Sequence, residues 1–417
     1  MVDNGWNSEE VINPRVTWDG CSVLLDVNDG DRVVFARLTP AAKLKIGNSF
    51  VPLKSLIGCP FGSSFQVETG IDGASFSRLS EVSESIEKDN CSGDSRDNRS
   101  INDDNKAQVL STEEIEAMKR QGAKGDDIID ALISNSATFD KKTAFSQEKY
   151  RVKKQKKYAP KVKLRRPSSR SICEAYFKKH PARIGFLRFD ALSLLHTMGN
   201  VGANGDVLVV DRVGGLLTGS VAERLGGTGY VCNAYEGRPS IEIVKIFNFN
   251  GEILKRILCM PLKELCSPDS SSLPEEAPQT EAICSSSMEG EEKAPPLERP
   301  QKGPKAGERP TLETLNYWRR NGFSSLIIAA PEKDPWCLVK NMMPLLAYSA
   351  PFAIYSQYLM PLASCMRNMQ YSKMGVGLQI SEPWLREYQV LPSRTHPMMQ
   401  LSSFGGYILS GTTTFTA

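Results

Sequence analysis

The chain has 417 residues, a net charge of +3 and ten cysteines without a single C-x-x-C pair. That length allows two or three domains, and the cysteine spacing speaks against a disulfide framework or a clustered-thiol zinc site, leaving free thiols in a reducing compartment as the simpler reading. The charge is unevenly placed: Lys149–Arg170 holds eleven Lys or Arg and no acid, which leaves the remainder of the chain at −8.

The first residues, MVDNGWNSEE, are polar and acidic, unlike a signal peptide. Residues 15–79 then alternate apolar and polar side chains over Val23–Val27, Val33–Leu38, Lys43–Ile46 and Ser64–Val67. Asn28-Asp29-Gly30, Gly47-Asn48 and Gly62 punctuate them, so a small antiparallel sheet or β-barrel is expected. Residues 80–108 are rich in Ser, Asp, Asn and Glu with almost nothing apolar, which predicts a disordered linker. Ser111 and Glu114 form a capping-box pattern ahead of a first helix that Gly122 and Gly125 break. A second helix is predicted over Asp126–Ser134 and a third from about Lys141 into the basic run, so residues 109–170 read as a helical, basic connector.

From residue 171 to 417 helices alternate with strands, the pattern of a largely parallel sheet covered on both faces. Within it, residues 267–310 read as a disordered, acidic insertion, with nine acids against five bases over Pro268–Pro310. Asn341–Met366 carries no charge over 26 residues, enough to cross a bilayer. Pro344, Pro351 and Pro361 and several polar residues favour helix, buried strand (Ala350–Tyr358) and helix instead. Further strands are expected at Ser324–Ala330, Gly377–Ile380, Tyr388–Leu391 and Tyr407–Phe415.

The most informative stretch is Asp206–Tyr235. An apolar run, Val207–Val210, ends in Asp211; a loop and a helix over Gly219–Leu225 follow, then a Gly226-Gly227 stop and a second strand, Tyr230–Tyr235. This is the layout of a nucleotide-binding strand–loop–helix–strand unit, in which glycines let the backbone approach the ligand and an acid about 20 residues on holds the ribose hydroxyls. Here Val213 and Leu217, on either side of Gly215, put branched side chains where glycines would sit, and no acid ends the second strand. The unit looks like a cofactor fold that has lost its cofactor; an ordinary strand–turn–helix is the plainer alternative.

Several motifs occur in the order found in one family: Leu24-Leu25-Asp26-Val27-Asn28-Asp29-Gly30-Asp31-Arg32, Pro60-Phe61-Gly62, Asn135-Ser136-Ala137-Thr138-Phe139, Tyr150…Lys153-Lys154…Lys156-Lys157-Tyr158, and Glu382-Pro383-Trp384-Leu385-Arg386-Glu387-Tyr388-Gln389-Val390-Leu391-Pro392. The chain resembles the non-catalytic subunit of the eukaryotic tRNA adenine-58 N1-methyltransferase. That resemblance implies an N-terminal β-barrel, a C-terminal Rossmann-like methyltransferase fold, and a heterotetramer of two catalytic and two non-catalytic subunits. It implies no cofactor on this chain and S-adenosylmethionine on the catalytic partner. The partner's glycine-rich loop falls on Asp211–Thr218, its ribose-binding acid near Ala234, and its catalytic aspartate near Ala329-Ala330-Pro331, with Glu332 and Asp334 just beyond.

No catalytic residue is expected. For RNA contact the candidates are Lys153, Lys154, Lys156, Lys157, Lys161, Lys163, Arg165 and Arg166, beside Tyr150 and Tyr158, which could stack on bases. Such a run also suits nuclear import, and a nuclear location is expected. Arg394 and His396, in a Pro-bounded loop, suit a partner or RNA contact; Trp384 and Leu385 read as core residues on a strand; Arg319-Arg320 reads as a surface pair. His180, His196 and His396 are too scattered to argue a catalytic constellation. A stand-alone S-adenosylmethionine-dependent RNA methyltransferase and a general RNA-binding scaffold are the alternatives.

Overall fold

A computed structural model describes residues 13–47, 49–70, 73–79, 108–267, 305–390, 395–399 and 404–414. The expected linker at 80–108 and insertion at 267–310 therefore lie almost wholly outside the described residues, as do Arg394, the Leu391 end of one predicted strand and the Phe415 end of the last. The chain divides into two compact units, before and after the Ala175–Tyr176 bond.

In the first unit, β1 (Ser22–Val27), β2 (Arg32–Arg37), β5 (Ser64–Gly70), β6 (Gly73–Arg78) and β7 (Lys161–Arg165) form one antiparallel sheet in the order β2-β1-β7-β5-β6. β3 (Lys43–Ile46) and β4 (Ser49–Pro52) pair separately. The alternation of β1 places Val23, Leu25 and Val27 in a core with Leu38, Leu56 and Phe65. Each such buried side chain contributes about 1.5–3 kcal/mol relative to exposure. The expected closed barrel is not what the ladders make: among the described residues β2 and β6 are edges, and no hydrogen-bonded pairing joins them.

α1 (Thr112–Arg120), α2 (Gly125–Ser134) and α3 (Ala144–Tyr158) precede β7. The capping box forms as read: Glu114 N donates to Ser111 Oγ at 3.2 Å and Ser111 N to the Glu114 carboxylate at 2.8 Å. Gly125, expected as a break, opens α2; a Cβ there would lie 2.6 Å from the Tyr158 carbonyl, so its role is the close approach of α2 to the end of α3. The connector was expected to be helical to residue 170. Lys161–Arg165 is instead a central strand, because Val162 and Leu164 alternate into the core while Lys161, Lys163 and Arg165 take the other face.

The second unit is a doubly wound α/β fold. After α4 (Ser169–Lys179), which spans the division, come α5 (Phe189–Met198), β8 (Asp206–Asp211), α6 (Leu216–Leu225), β9 (Tyr230–Tyr235), α7 (Gly251–Lys255), β10 (Ile257–Pro261) and α8 (Leu262–Cys266). Then follow α9 (Leu312–Asn321), β11 (Ser325–Ala329), α10 (Pro335–Met342), β12 (Pro351–Ser356), α11 (Leu359–Tyr371), β13 (Gly375–Ser381), β14 (Tyr388–Gln389), β15 (His396–Pro397) and β16 (Tyr407–Thr413). The sheet order is β10-β9-β8-β11-β12-β16-β13, parallel except that β16 runs antiparallel to both neighbours. Strand order reverses between β8 and β11, the place where open α/β sheets bind ligands at their carboxyl ends. One face packs Leu208, Ile328 and Phe352 against Trp318, Met342, Leu362 and Met369. The uncharged 341–366 stretch resolves into the end of α10, buried β12 and part of α11. No helix among the described residues is long and apolar enough to cross a membrane.

Candidate functional site

At the switch point, the sequence builds a loop closed on itself. The Asp211 carboxylate accepts the backbone N–H of Val213 (2.8 Å), Gly215 (3.1 Å) and Thr218 (2.8 Å) and the Thr218 hydroxyl (2.9 Å). Burial pushes this carboxyl above its ordinary range, and those four donors oppose the shift. Val213 and Leu217 are both 0% exposed, packed beside the loop. Gly214 and Gly215 have φ of +79° and +90°, yet they face chain rather than solvent. A Cβ on Gly215 would lie 2.8 Å from Ile241 Cα, and one on Gly214 would lie 2.8 Å from Ile243 Cδ1. Ile243 N also donates to the Gly214 carbonyl at 3.0 Å.

The neighbouring positions are equally committed. Ala234, near which the resemblance places the partner's ribose-binding acid, is buried. Asn233 beside it is fully buried, and its amide makes no hydrogen bond. Beyond β11, Pro331 packs so closely on Gly185 that a Cβ there would sit 2.6 Å from the proline ring. Of the two nearby acids, Asp334 caps α10 through Cys337 N (3.3 Å), and Glu332 is an exposed partner of Arg212 (3.6 Å). Glu236 pairs with Lys333 at 2.8 Å, a contact that holds its carboxyl below the usual range. The cavity left among Arg212, Tyr235, Glu236 and Lys333 is about 70 Å³, whereas small-molecule sites run to roughly 300–1,000 Å³. His196 on α5 is buried against Ser220 Oγ (2.9 Å), and burial lowers its pKa to about 4. No group of three His, Cys, Asp or Glu among the described residues could hold a metal ion.

The basic residues divide by environment. Lys153, Lys156 and Lys157 are exposed on α3, and Lys161, Lys163 and Arg166 are exposed on or just after β7. Lys156 also binds Asp31 at 2.8 Å, and its carbonyl accepts Asn28 Nδ2, which ties α3 to the β1–β2 turn. Lys154 is half-buried over the Tyr150 ring at 5.0 Å, and loss of hydration lowers its pKa. Two corrections follow. Tyr150 carries Lys142 and Lys154, and Tyr158 carries Lys119 and Lys157, so these rings are held by the chain's own cations and do not stand as open stacking platforms. Arg165 is occupied by Asp26 (3.3 Å) and Glu174 (3.5 Å).

The 382–390 segment is also corrected. Trp384, expected in the core, is 71% exposed with Arg386 over its ring at 5.6 Å. It is presented outward because Arg188, only 4% exposed, grips Asp190 at 2.7 Å through both Nε and Nη2 while Nη2 donates to the Pro383 carbonyl at 3.2 Å. Asp190 in the first turn of α5 was readable as a helix start, but nothing in sequence pointed to its partner or to Pro383. His396 is exposed on β15, its Nδ1 within 2.9 Å of the Pro397 carbonyl.

A family model described as the Gcd10p family matches residues 19–290. The chain belongs to the Gcd10p family. Among relatives of this Gcd10p-family chain, a Dictyostelium discoideum protein named as a tRNA (adenine(58)-N(1))-methyltransferase non-catalytic subunit is 36% identical, over 94% of this chain and 78% of that one. A Mus musculus protein of the same description is 30% identical, over 93% of this chain and 88% of its own length. Among solved structures, a SAM-dependent O-methyltransferase from Thermotoga maritima superimposes with a TM-score of 0.51 at 11% identity, covering 97% of this chain and 96% of that one. At that identity the likeness establishes the fold alone, a Rossmann-like methyltransferase architecture.

Proposed function

We propose that this chain is the non-catalytic, tRNA-binding subunit of a tRNA adenine-58 N1-methyltransferase. The observation that carries the reading is the self-closed Asp211–Thr218 loop in a chain whose full-length relatives bear that name. Val213 and Leu217 occupy the space a nucleoside needs, and Asp211 has given its acceptors to the backbone, so S-adenosylmethionine does not fit and belongs to a catalytic partner.

The role is positional. Exposed Lys153, Lys156, Lys157, Lys161, Lys163 and Arg166 supply phosphate contacts, which orient an RNA without performing chemistry on it. Lys154 supports the patch from its place on Tyr150, and Arg394 extends the set. The target adenine must leave its stack, which costs roughly a few kcal/mol; contacts spread over two kinds of subunit offset that cost. A heterotetramer of two catalytic and two non-catalytic subunits in the nucleus completes the proposal. So does a barrel-like first unit, in which β4 packs on β6 without pairing to it.

The test is methyl transfer to tRNA by this chain alone, by the catalytic paralogue alone and by both co-expressed. Activity confined to the pair, with no S-adenosylmethionine binding by this chain, is the expected result. Turnover by this chain alone overturns the proposal.

A further inference from the structure

The first unit carries a second basic run without acids. From Arg32 to Val67 the chain holds five Lys or Arg and no Asp or Glu. Folding brings three of the five together. In the β3–β4 hairpin, Lys43 lies opposite Pro52 and Lys45 opposite Phe50. Ile46 and Val51 turn into the core with Leu44 packed against it. Side chains alternate along a strand, so Lys43, Lys45 and Phe50 share the outer face, where all three are exposed. Arg32, the first residue of β2, donates from Nη1 to the Lys45 carbonyl at 3.1 Å and so fixes the hairpin against the start of that strand. A carbonyl leaves the guanidinium its charge. Among the described residues no carboxylate pairs with Arg32, Lys43 or Lys45.

This face continues the basic surface of α3. Lys156 on α3 binds Asp31 at 2.8 Å, and Asp31 is followed directly by Arg32. Asn28 in the same β1–β2 turn donates to the Lys156 carbonyl and accepts from Lys161 N, both at 3.1 Å. Close polar contacts therefore run from α3 and β7 through the β1–β2 turn to the β3–β4 hairpin. Asp31, the acid on that line, is already met by Lys156; Asp29 stands exposed at the tip of the turn.

A phosphate chain is recognised by cations spaced along one surface with an apolar ring beside them. Phe50 supplies the ring: it is 63% exposed, with Lys45 at 6.0 Å from its centroid, the outer limit of a cation–π contact. Tyr150 and Tyr158, by contrast, each carry two cations. An acidic protein segment would also satisfy the cations, but the line starts on the α3 surface assigned to RNA, and such a segment would leave Phe50 without a partner. We propose that the bound RNA passes from α3 across the β1–β2 turn and over the outer face of the β3–β4 hairpin. Its phosphates lie on Arg32, Lys43 and Lys45, and a base or ribose lies on Phe50. This rests on the tRNA-binding reading and gives the RNA a path across the first unit.

The experiment uses the full chain co-expressed with its catalytic partner and measures tRNA affinity against salt. Lys43→Ala/Lys45→Ala should weaken binding and lower the salt slope by roughly two. Phe50→Ala should weaken binding about fivefold or more with an unchanged slope, since stacking is not ionic. Arg37→Ala is the control. Arg37 lies at the other end of β2 from Arg32, roughly 17 Å away at strand rise, with its Nε held by the Gly20 carbonyl at 2.9 Å. It should keep the wild-type slope. A photo-reactive benzoylphenylalanine at position 50 should cross-link to tRNA. Wild-type affinity and slope in the hairpin variants, alongside a loss in Lys153/Lys154/Lys156/Lys157→Ala, overturns the path and leaves the subunit reading standing. A slope lowered by about one in Arg37→Ala also overturns it, because diffuse charge would then explain the effect. So does a cross-link to protein in place of RNA. If the α3 lysine variant is silent as well, the tRNA-binding reading falls with the path.

Discussion

The closed loop of the second unit and the basic α3–β7 surface of the first are opposite uses of polar groups. In the loop, every acceptor on the Asp211 carboxylate is engaged within seven residues of sequence, and the side chains of Val213, Leu216 and Leu217 are fully buried. On α3 and β7, most of the cations are exposed, with Arg151, Lys154, Lys156, Lys157 and Arg165 as the members engaged by groups of the chain itself. A site that has satisfied itself has stability to lose and no ligand to gain. A surface that has not done so has affinity to lose and little stability. Charge count alone would not separate the two; the partners of each charge do.

The largest effect should come from breaking the loop. Asp211→Ala orphans three buried N–H groups and the Thr218 hydroxyl, and should cost about 3–5 kcal/mol of folding stability in urea unfolding. A loss below about 1 kcal/mol would mean that the loop is not organised by this carboxylate.

Next is His196, behind the same loop. Its folded pKa of about 4 lies below the ordinary 6.5, with burial as the main cause and Arg224 the lesser one. A depressed pKa means that the unfolded chain binds the proton first as pH falls. The stabilising contribution is therefore complete above pH 6.5 and lost between 6.5 and 4, by on the order of 3 kcal/mol. Urea midpoints measured across that window should fall in the wild type, and the part due to this group should vanish in His196→Gln.

On the other surface, Lys153/Lys154/Lys156/Lys157→Ala should leave stability nearly unchanged. It should weaken tRNA binding tenfold or more and lower the salt slope by roughly three, Lys156 being already paired with Asp31. The smallest effect sharpens the contrast: Lys163→Ala should lower the slope by about one, whereas Arg165→Ala, already neutralised by Asp26 and Glu174, should leave it unchanged. Equal slopes for the two variants would erase the distinction between engaged and exposed cations.

Much of this was legible in sequence, for physical reasons. Alternation showed β1, β2, β3 and β5, and the Ser111–Glu114 box showed the start of α1, because both signals are local. That Val213 and Leu217 put branched side chains where glycines would sit was readable from side-chain size alone. β7 was missed although Val162 and Leu164 alternate correctly, because the surrounding basic run dominates the composition. The outward turn of Trp384 depends on the Arg188 grip on Pro383, a contact across 195 positions of chain. The Tyr150–Lys154 pair is an i, i+4 contact that helix spacing could have shown, whereas the capture of Tyr158 by Lys119 depends on how α1 and α3 come together.

The packing of Gly215 on Ile241 makes the proposed loss of a ligand site difficult to reverse. In a site closed only by side chains, substituting Val213 and Leu217 by glycine would reopen the space in two steps. Here the backbone of Ser240–Ile241 lies in contact with the very glycine that would admit a ligand. Restoring the old geometry requires a coordinated change in two separate segments, and neither change is useful alone. The Val213→Gly, Leu217→Gly double variant should therefore show no heat of binding when titrated with S-adenosylmethionine. On the proposed reading, reopening the pocket takes a change of main chain as well as of side chains.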